Sequence, residues 1–551
     1  MTFIFYEINL YFTLLYFLGK IIDIKLFLWK RNKKYNKKYF LNYPSEKLFY
    51  KLNKDARYHL NNYFNDDFFK KYDTYEINYI KKILTTRFTD YYVFKFATKK
   101  MINNKTILYE PKNLKKIYYK TEYQTYKLNY INLLFYSIAF LIRGIIVLIL
   151  SIKIKEAIES VDAIYLRKKF DKDLINLKTI DKTLKNSEIK FLPVFVPPTS
   201  KFNKKYNINT INSLKGFKKN FSLSLIKTFT QNFSLYNLYS SDFISNKHFY
   251  QRIKDQLLIM PIIYLKSKVY FGIFTDKAYF VLLHKYKLSF QKIISFADGF
   301  SFPPNHGADF FYTDTLLTIN KYDAKTFNIN DGIISNIIQM GNIRDQTTND
   351  SSSISKDLID KFKKYDFKVL ITTTPCDDFN YAPVIFEKMY KFVNKVIEIS
   401  KNVDNTIFII KEKKSELTNY NIDKTNIENV FFVNSRNPKY IINNKFEVLL
   451  PECDLLISYT NNSMTLLQAL SKNIPVIIIK EDNNETLWNN FENIESNLSS
   501  LEANIIFWLK MSKKNKIKKL DYITKELNLK ENKSYDIICN EIISSINKPY
   551  E

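Results

Sequence analysis

Between residues 368 and 480, short apolar runs alternate with segments of helical periodicity. The apolar runs have the length of strands and lack polar alternation, which is typical of parallel strands buried on both faces. In chain order they are KVLITTT (368–374), TIFIIK (406–411), NVFFVN (429–434), DLLISY (454–459) and PVIIIK (475–480). Helices are predicted from Pro383 onward, at about 439–450 and at 463–472. The alternation predicts a parallel sheet that helices cover on both faces.

The region from about 160 to 340 has a less regular pattern of the same kind, which predicts the strands of a first α/β domain. Its apolar runs are FLPVFVPP (191–198), KVYFGIF (268–274), KIISFADGF (292–300) and DTLLTIN (314–320). The polar segment QTTNDSSSISK (346–356) predicts the boundary to the second domain. At 551 residues the chain is also too long for one ordinary core. We therefore expect an α/β fold with two Rossmann-like domains, over 156–345 and 346–500, followed by C-terminal helices over 501–551.

The N-terminal part of the chain holds its strongest hydrophobic stretch, LLFYSIAFLIRGIIVLILSI (133–152). The stretch is about long enough to cross a bilayer as a helix, although its central Arg143 would cost roughly 2.5–3.5 kcal/mol on insertion. A single span would also separate the Lys-rich 1–131 from the rest of the chain, against the positive-inside tendency. We therefore favour two segments, at about 8–29 and 132–153, that return to the same side or lie in the membrane interface. A buried core helix whose Arg143 reaches its edge is the alternative.

The net charge of +29 would normally indicate a nucleic-acid or membrane partner, but the composition weakens that inference. Only eight of the 84 basic residues are Arg, and the Lys-, Asn- and Ile-rich bias is one that A+T-rich coding produces by itself. Residues 1–131 hold 26 basic and 11 acidic residues, which is about half of the basic excess. Because this excess lies beside apolar segments, 1–155 is predicted to hold the protein at an anionic membrane surface, on its cytoplasmic face and without a specific nucleic-acid partner. A non-catalytic, basic nucleic-acid-binding protein at the membrane is the alternative from another class.

The cysteines and the N-terminus both fit a cytosolic setting. Cys376, Cys453 and Cys539 lie far apart without a C-x-x-C pairing, which argues against a disulfide framework and against a zinc site. The apolar run at 10–18 follows Glu7 without a basic n-region, so that no secretory signal is predicted.

The segment DLLISYTNNSMTLLQALSKNIPVIIIK (454–480) carries the candidate ligand chemistry. A predicted strand ends at Ser458, a polar turn follows over 460–463, and a helix begins at once. Ser or Asn at a helix start satisfies exposed backbone N–H groups, and the positive end of the helix dipole attracts an anion such as a diphosphate. Ligands of parallel sheets bind beyond the carboxyl ends of the strands. The turn is therefore predicted to contact phosphate, and the alternative is a turn that only caps the helix. Since no Gly follows Gly341, a Walker loop and a G-x-G-x-x-G turn are both excluded in this half.

This segment resembles the donor half of GT-B glycosyltransferases of the bacterial surface-carbohydrate group, which makes capsule and lipopolysaccharide. The matching features are the strand and polar turn ISYTNNS, the helical pair Gln468-Ala469 and the Pro-opened strand IPVIII. GNIRD (341–345) resembles the Gly-Asn-x-Arg-Asp element that precedes the C-terminal domain in these enzymes and in their glycerophosphotransferase relatives. In this group Glu is more frequent than Gln at the position of Gln468.

Two other segments extend the resemblance to about 290–495. FIIKEKKSE (408–416) resembles the group's strand that ends in Lys-Pro-His-Pro, with Lys411 retained and Lys413 where His is common, but without the Pro-His-Pro itself. FADGFSFPPNHGADFFYTDTLLTIN (296–320) resembles the segment in which such proteins place a His-Gly pair before a strand.

The resemblance implies a GT-B fold and a nucleotide-sugar donor as substrate, with no separate cofactor. Candidate donor-binding residues lie at the predicted carboxyl ends of strands and in the turn and helix after the fourth strand; Asn434 and Arg436 stand where GT-B proteins often hold the base. The candidates are Thr373, Thr374, Lys411, Asn434, Arg436, Ser458, Thr460, Asn461, Asn462, Ser463 and Gln468. The alternative for the two threonines is a satisfied strand terminus, and for Lys411 it is a strand-end lysine that faces water.

The candidate catalytic residue is His306, which lies in the sequence NHGAD. A histidine near its ordinary pKa exchanges protons at neutral pH and suits a general base. Asp298 and Asp309 are rival carboxylates, and an inert loop histidine is the alternative. We expect a mechanism without a metal.

The leading hypothesis is a glycosyltransferase that moves a sugar from a nucleotide-activated donor to a surface polysaccharide or lipid-linked acceptor. A glycerophosphate or polyol-phosphate transferase on the same fold is the alternative, but it needs phosphate-binding His or Arg groups, of which Arg344 and Arg436 are the only candidates in the relevant half. A sugar-nucleotide 2-epimerase also uses this fold, although it would have little use for the hydrophobic and basic N-terminal region.

Overall fold

Among the residues that the structure describes, the framework consists of three parallel sheets, two with six strands and one with three. Helices pack on the two large sheets. The computed structural model describes residues 2–5, 25–28, 46–65, 67–70, 72–99, 106–110, 115, 118–119, 161–168, 177–196, 251–252, 255–256, 259, 263, 267–273, 278–296, 311–328, 332–343, 353–373, 386–412, 427–433, 444–459, 464–480, 487–529 and 533–547.

The N-terminal part combines the small sheet, of strand order β2-β1-β3, with three helices. These elements are β1 (Thr2–Phe5), β2 (Lys25–Leu28), α1 (Glu46–Phe64), α2 (Asp67–Lys70), α3 (Thr74–Thr98) and β3 (Thr106–Tyr109). The end of the predicted hydrophobic segment 8–29 is thus a strand, while most of that segment and all of 132–153 lie outside the described residues. Among the helices described, none is both long and apolar enough to span a bilayer.

The first large sheet has the strand order β5-β4-β6-β7-β8-β9, and each neighbouring pair is parallel. Its elements are β4 (Ala163–Lys168), α4 (Leu177–Asn186), β5 (Phe191–Val196), β6 (Val269–Ile273), α5 (Tyr279–Tyr286), β7 (Lys292–Phe296), β8 (Phe311–Thr318), α6 (Lys321–Asn328) and β9 (Gly332–Gln339). Strands β5 to β8 overlap the four predicted apolar runs, whereas β4 and β9 are additional strands.

The second large sheet has the strand order β12-β11-β10-β13-β14-β15, again with parallel pairs only. Its elements are α7 (Lys356–Phe362), β10 (Phe367–Thr372), α8 (Phe386–Ser400), β11 (Thr406–Lys411), β12 (Val430–Val433), α9 (Phe446–Leu449), β13 (Leu455–Ser458), α10 (Met464–Ser471), β14 (Val476–Ile479) and β15 (Glu495–Ser496), with 3-10 turns at Leu450–Glu452 and Leu487–Asn490. All five predicted strands are confirmed. The helix predicted at about 439–450 is, within the described residues, the single turn α9.

The C-terminal helices connect the two α/β domains. They are α11 (Leu501–Lys510), α12 (Lys513–Glu526) and α13 (Ser534–Asn547). The first two pack on the second domain, where α11 contacts β13 and α12 contacts α10. In contrast, α13 contacts α4 and β6, and its side chains Ile538, Cys539 and Ile542 belong to the apolar core of the first domain. The end of the chain therefore returns to the first domain.

Helix α3 is tied to the first domain by a buried ionic cluster. Glu76 of α3 is fully buried and accepts hydrogen bonds from Arg252 Nε at 2.8 Å and from Lys285 Nζ of α5 at 2.8 Å. Arg252 also donates to the hydroxyl of Tyr286 at 3.0 Å. Burial alone would raise the pKa of Glu76, but the two cations outweigh it and lower that pKa to about 2. Helix α3 is thus packed against the first domain.

A second polar cluster joins α3, α5 and β8. Asp314 of β8 accepts hydrogen bonds from Lys287 Nζ at 2.6 Å and from the backbone N–H of Ile293 at 2.7 Å. His284 lies between this carboxylate and α3, with its Nδ1 3.2 Å from the hydroxyl of Tyr75. Burial would raise the pKa of Asp314, yet hydrogen bonds from His284 and Lys287 lower it to about 2. Because Asp314 contacts the start of β7, this cluster lies toward the amino edge of the first sheet.

Candidate functional site

The strand order of the second sheet creates a topological switch point between β10 and β13. From β10 the chain moves outward through β11 and β12, and it then returns to the other side of β10 with β13 and β14. Open parallel sheets bind ligands in the crevice beyond the carboxyl strand ends at such a point. The strand register places Thr372 of β10 beside Lys411 of β11 on one side and beside Ser458 of β13 on the other. The last residues of three adjacent strands thus lie together at the predicted ligand edge.

The threonines at the end of β10 hold the neighbouring strands. The hydroxyl of Thr372 donates to the carbonyl of Ile457 at 3.5 Å. Thr373 is buried, and both its backbone N–H, at 3.3 Å, and its hydroxyl, at 3.5 Å, donate to the carbonyl of Lys411. These bonds hold the end of β10 against β11, and a role of Thr373 in donor binding stays a prediction. Thr374 lies outside the described residues.

Lys411 ends β11 and is half-buried. Its Nζ donates to the backbone carbonyl of Asn444 at 3.0 Å, and it has no other hydrogen-bond partner among the residues that the structure describes. An ammonium group has three donors, and among the described residues only one of them has an acceptor. Burial lowers the pKa of Lys411, and the nearby carboxylate of Glu447 offsets only part of this effect. The site therefore favours an anion that would share the ammonium protons.

Asn444 connects Lys411 to the start of the second domain. Its backbone N–H donates to the carbonyl of Ser353 at 3.0 Å, its Oδ1 accepts from the backbone N–H of Ser355 at 2.7 Å, and its Nδ2 donates to the hydroxyl of Ser355 at 2.9 Å. The sequence offered no periodic signal for this contact, because Asn444 and Ser355 are 89 positions apart.

The ends of the predicted strand–turn–helix element are where the sequence placed them. β13 ends at Ser458, which is fully buried, and α10 begins at Met464. Gln468 lies within α10 and is also buried. The turn residues between the two elements, Thr460, Asn461, Asn462 and Ser463, lie outside the described residues, and their phosphate contact stays a prediction.

The remaining candidates follow strand ends and also lie outside the described residues. Asn434 and Arg436 come directly after β12. Asp298, His306 and Asp309 belong to the segment that leaves the carboxyl end of β7 and leads to β8. Their roles therefore stay predictions from the sequence.

No protein-family model matches the sequence, and no curated protein matches it. Solved structures that this chain matches include a UDP-GlcNAc 2-epimerase from Neisseria meningitidis bound to UDP-GlcNAc, with 13% identity and a TM-score of 0.40 over 70% of this chain and 100% of that chain. A UDP-glucose:anthocyanidin 3-O-glucosyltransferase in complex with UDP has 8% identity and a TM-score of 0.44 over 70% of this chain and 100% of that chain.

The wall teichoic acid polymerase TagF has 13% identity and a TM-score of 0.41 over 76% of this chain and 99% of that chain. The assignment of the fold rests on the two sheets themselves, each parallel throughout and each with helices packed on it. The chain thus has the two Rossmann-like domains that its sequence predicts for the GT-B type.

Proposed function

We propose that this chain is a glycosyltransferase that moves a sugar from a nucleotide-activated donor to a surface polysaccharide or lipid-linked acceptor. The observation that carries the proposal is the meeting of Thr372, Lys411 and Ser458 at the switch point of the second sheet. This is the edge at which parallel sheets bind ligands, and the segments that resemble glycosyltransferases supply its strand ends.

The donor phosphates would lie between Lys411 and the amino end of α10. Lys411 offers a half-buried positive charge, and two of its three donors have no acceptor among the described residues. The start of α10 offers backbone N–H groups and the positive end of the helix dipole. Together they would stabilise the negative charge that develops on the leaving nucleotide. In this proposal the charge is balanced by Lys411 and the helix, and no metal ion takes part.

The transfer itself joins the acceptor to the anomeric carbon of the sugar. An acceptor hydroxyl oxygen attacks that carbon, the bond from the carbon to the phosphate oxygen breaks, and the nucleotide leaves with the bonding electrons. The hydroxyl proton passes to a base, for which His306 is the first candidate and Asp298 and Asp309 are the rivals. These residues belong to the segment after β7, and β7 ends at the carboxyl edge of the first sheet.

The acceptor side would lie near a membrane. The basic excess of 1–131 and the apolar stretch at 133–152 suit an anionic surface, where lipid-linked acceptors are found. We therefore place the enzyme at the cytoplasmic face, with 1–155 as the part that contacts lipid.

A thermal-shift screen against UDP-, GDP-, CDP- and CMP-linked sugars tests donor binding. We expect one of these four classes of nucleotide sugar to raise the melting temperature of the wild type, because a ligand that binds only the folded state stabilises it. Asn462→Ala and Ser463→Asp should both reduce that shift. Asp caps a helix about as well as Ser but repels an anion, so Ser463→Asp separates loss of phosphate binding from loss of the helix. If no nucleotide sugar stabilises the wild type, or if both variants respond as it does, the proposal is wrong.

A further inference from the structure

Every polar group of Asn444 is engaged in holding two segments together. Its backbone N–H and its carboxamide bind Ser353 and Ser355, and its backbone carbonyl accepts from Lys411. The residue is fully buried and has a φ of 58°, in the left-handed region that Asn tolerates better than most residues. A buried residue in this conformation, with four hydrogen bonds, has one arrangement available to it.

The bonds of Asn444 converge on two functional parts of the chain. Ser353 and Ser355 are the first residues of the second domain, directly before α7 and at the end of the predicted boundary segment 346–356. Lys411 carries the charge proposed to meet the donor. The carbonyl that orients the Lys411 ammonium is therefore itself held by the segment that enters the domain.

We propose that Asn444 is a positioning residue, which fixes the Lys411 ammonium at the carboxyl edge for the donor phosphate and links it to the segment that joins the two domains. This inference rests on the proposed function for its ligand, but the contact itself does not depend on it. Without the two hydrogen bonds between the Asn444 carboxamide and Ser355, the backbone at 444 would move. Its carbonyl would then no longer hold the ammonium, and Lys411 would turn toward water.

Asn444→Gly is the variant that tests the two hydrogen bonds between the Asn444 carboxamide and Ser355. Glycine adopts positive φ without strain and keeps the backbone carbonyl, so that only the two carboxamide bonds to Ser355 are removed. Asn473→Gly is the matched control, because Asn473 has a φ of 57° but is exposed and lies between α10 and β14, at the opposite edge of the sheet.

The first measurement is the dissociation constant for whichever of UDP, GDP, CDP or CMP stabilises the wild type. By the usual strength of a hydrogen bond to a charged group, Lys411→Met should weaken binding roughly tenfold, and Asn444→Gly should weaken it about three- to tenfold. In a Lys411→Met background, Asn444→Gly should have little further effect, because residues that act through one group are not additive. Asn473→Gly should bind as the wild type does. If Asn444→Gly weakens binding by the same factor in the wild type and in Lys411→Met, the role of Asn444 is merely structural.

The second measurement needs no nucleotide. The rate at which acetic anhydride labels Lys411, followed across alkaline pH by peptide mass analysis, reports the pKa of that amine. We expect Asn444→Gly to raise this pKa toward its ordinary value, because the freed ammonium would be better hydrated, while Asn473→Gly leaves it unchanged. If the labelling profile of Asn444→Gly matches the wild type, the positioning role is wrong even if the protein binds a donor. If no nucleotide binds but the profile changes, the donor assignment fails and the contact between Asn444 and Lys411 stands.

Discussion

Lys411 shows how its surroundings change the chemistry of a lysine at a strand end. A lysine that faces water gains little from a nearby anion, since water already solvates it. Here burial lowers the pKa of the ammonium, and one carbonyl is its hydrogen-bond acceptor among the described residues. An anionic ligand would favour the charged form, so that binding and protonation are linked.

This linkage predicts a pH dependence of donor binding. As the pH rises from neutrality into the alkaline range, toward the lowered pKa of Lys411, the amine loses its proton and the affinity for a nucleoside diphosphate should fall. The guanidinium of a Lys411→Arg variant stays charged over this range, so its affinity should stay nearly flat. Calorimetric titration at several pH values measures both. A wild type whose affinity does not change with pH would show that Lys411 does not carry the charge that binds the donor.

The residues of this site differ in how far the sequence could reveal them. Lys411 and Ser458 were predictable, because each ends a recognisable apolar strand. Asn444 was not, because the sequence predicted it inside a helix at about 439–450, and because it acts through contacts with Ser353 and Ser355, far along the chain. A lone Asn gives no local signal that it adopts positive φ and bridges such distant segments.

At the scale of elements, the strength of the apolar signal follows the burial of each strand. Strands β10, β11, β13 and β14 lie inside the second sheet and read as continuous apolar runs. β9 was missed because it is an edge strand whose residues are mostly exposed or half-buried, so its sequence GIISNIIQ includes polar positions. β4 was missed because its buried stretch has only four residues before Arg167 and Lys168.

Helix α3 was harder still to predict, since its buried side includes charged residues that long-range partners neutralise. Glu76 meets Lys285 from 209 positions away and Arg252 from 176 positions away. The basic character of this region predicted contact with a membrane surface, whereas the structure packs the helix against α1 and α5. Nothing local in the sequence indicates which lysines and acids will pair.

Breaking the buried cluster should destabilise the protein strongly. Glu76→Gln leaves the charges of Arg252 and Lys285 buried without their carboxylate, which costs roughly 3–5 kcal/mol in comparable sites. Urea unfolding at neutral pH measures the loss. Asp67→Asn is the matched control, because the Asp67 to Lys70 pair is exposed and such pairs contribute little. Similar midpoints for Glu76→Gln and the wild type would contradict the role given to the cluster.

The same variant should change the acid sensitivity. The pKa of Glu76 is lowered to about 2 in the folded protein, below its ordinary value, so its stabilisation is present above that ordinary value and is lost as the pH falls toward 2. The wild type should therefore lose stability between about pH 5 and pH 2 more steeply than Glu76→Gln. Asp314, whose pKa is also lowered to about 2, adds to the loss in both proteins.

At the scale of the whole molecule, an N-terminal helix and the last described helix both pack on the first domain. α3 packs against α5, and α13 contributes Ile538 and Ile542 to the apolar core around β6. The sequence predicted two Rossmann-like domains and the terminal helices, but not where those helices dock. Where a helix docks depends on a complementary face elsewhere in the fold, and the periodicity of the helix alone does not identify that face.

This packing decides how membrane association should be tested. Removal of the whole of 1–155 would also remove α3 and Glu76 from the first domain, and the protein would unfold for a reason unrelated to lipid. Replacement of Lys33, Lys34, Lys37 and Lys38 by Gln leaves α3 in place. We expect the wild type to float with vesicles that contain phosphatidylglycerol, in a salt-dependent way, and the variant to bind them less. Equal flotation of both proteins would show that these lysines are not the membrane contact.

Donor binding at Lys411 is the central claim, and one pair of variants tests it directly. Lys480 follows β14 at the same edge of the sheet, but its ammonium is already neutralised by Glu495 at 2.8 Å. Isothermal titration of UDP, GDP, CDP and CMP into the wild type, Lys411→Met and Lys480→Met compares two strand-end lysines that differ in their partners. The account predicts that one nucleotide binds the wild type, that Lys411→Met weakens this binding roughly tenfold, and that Lys480→Met leaves it unchanged. Absence of binding, or equal affinity in wild type and Lys411→Met, would contradict it.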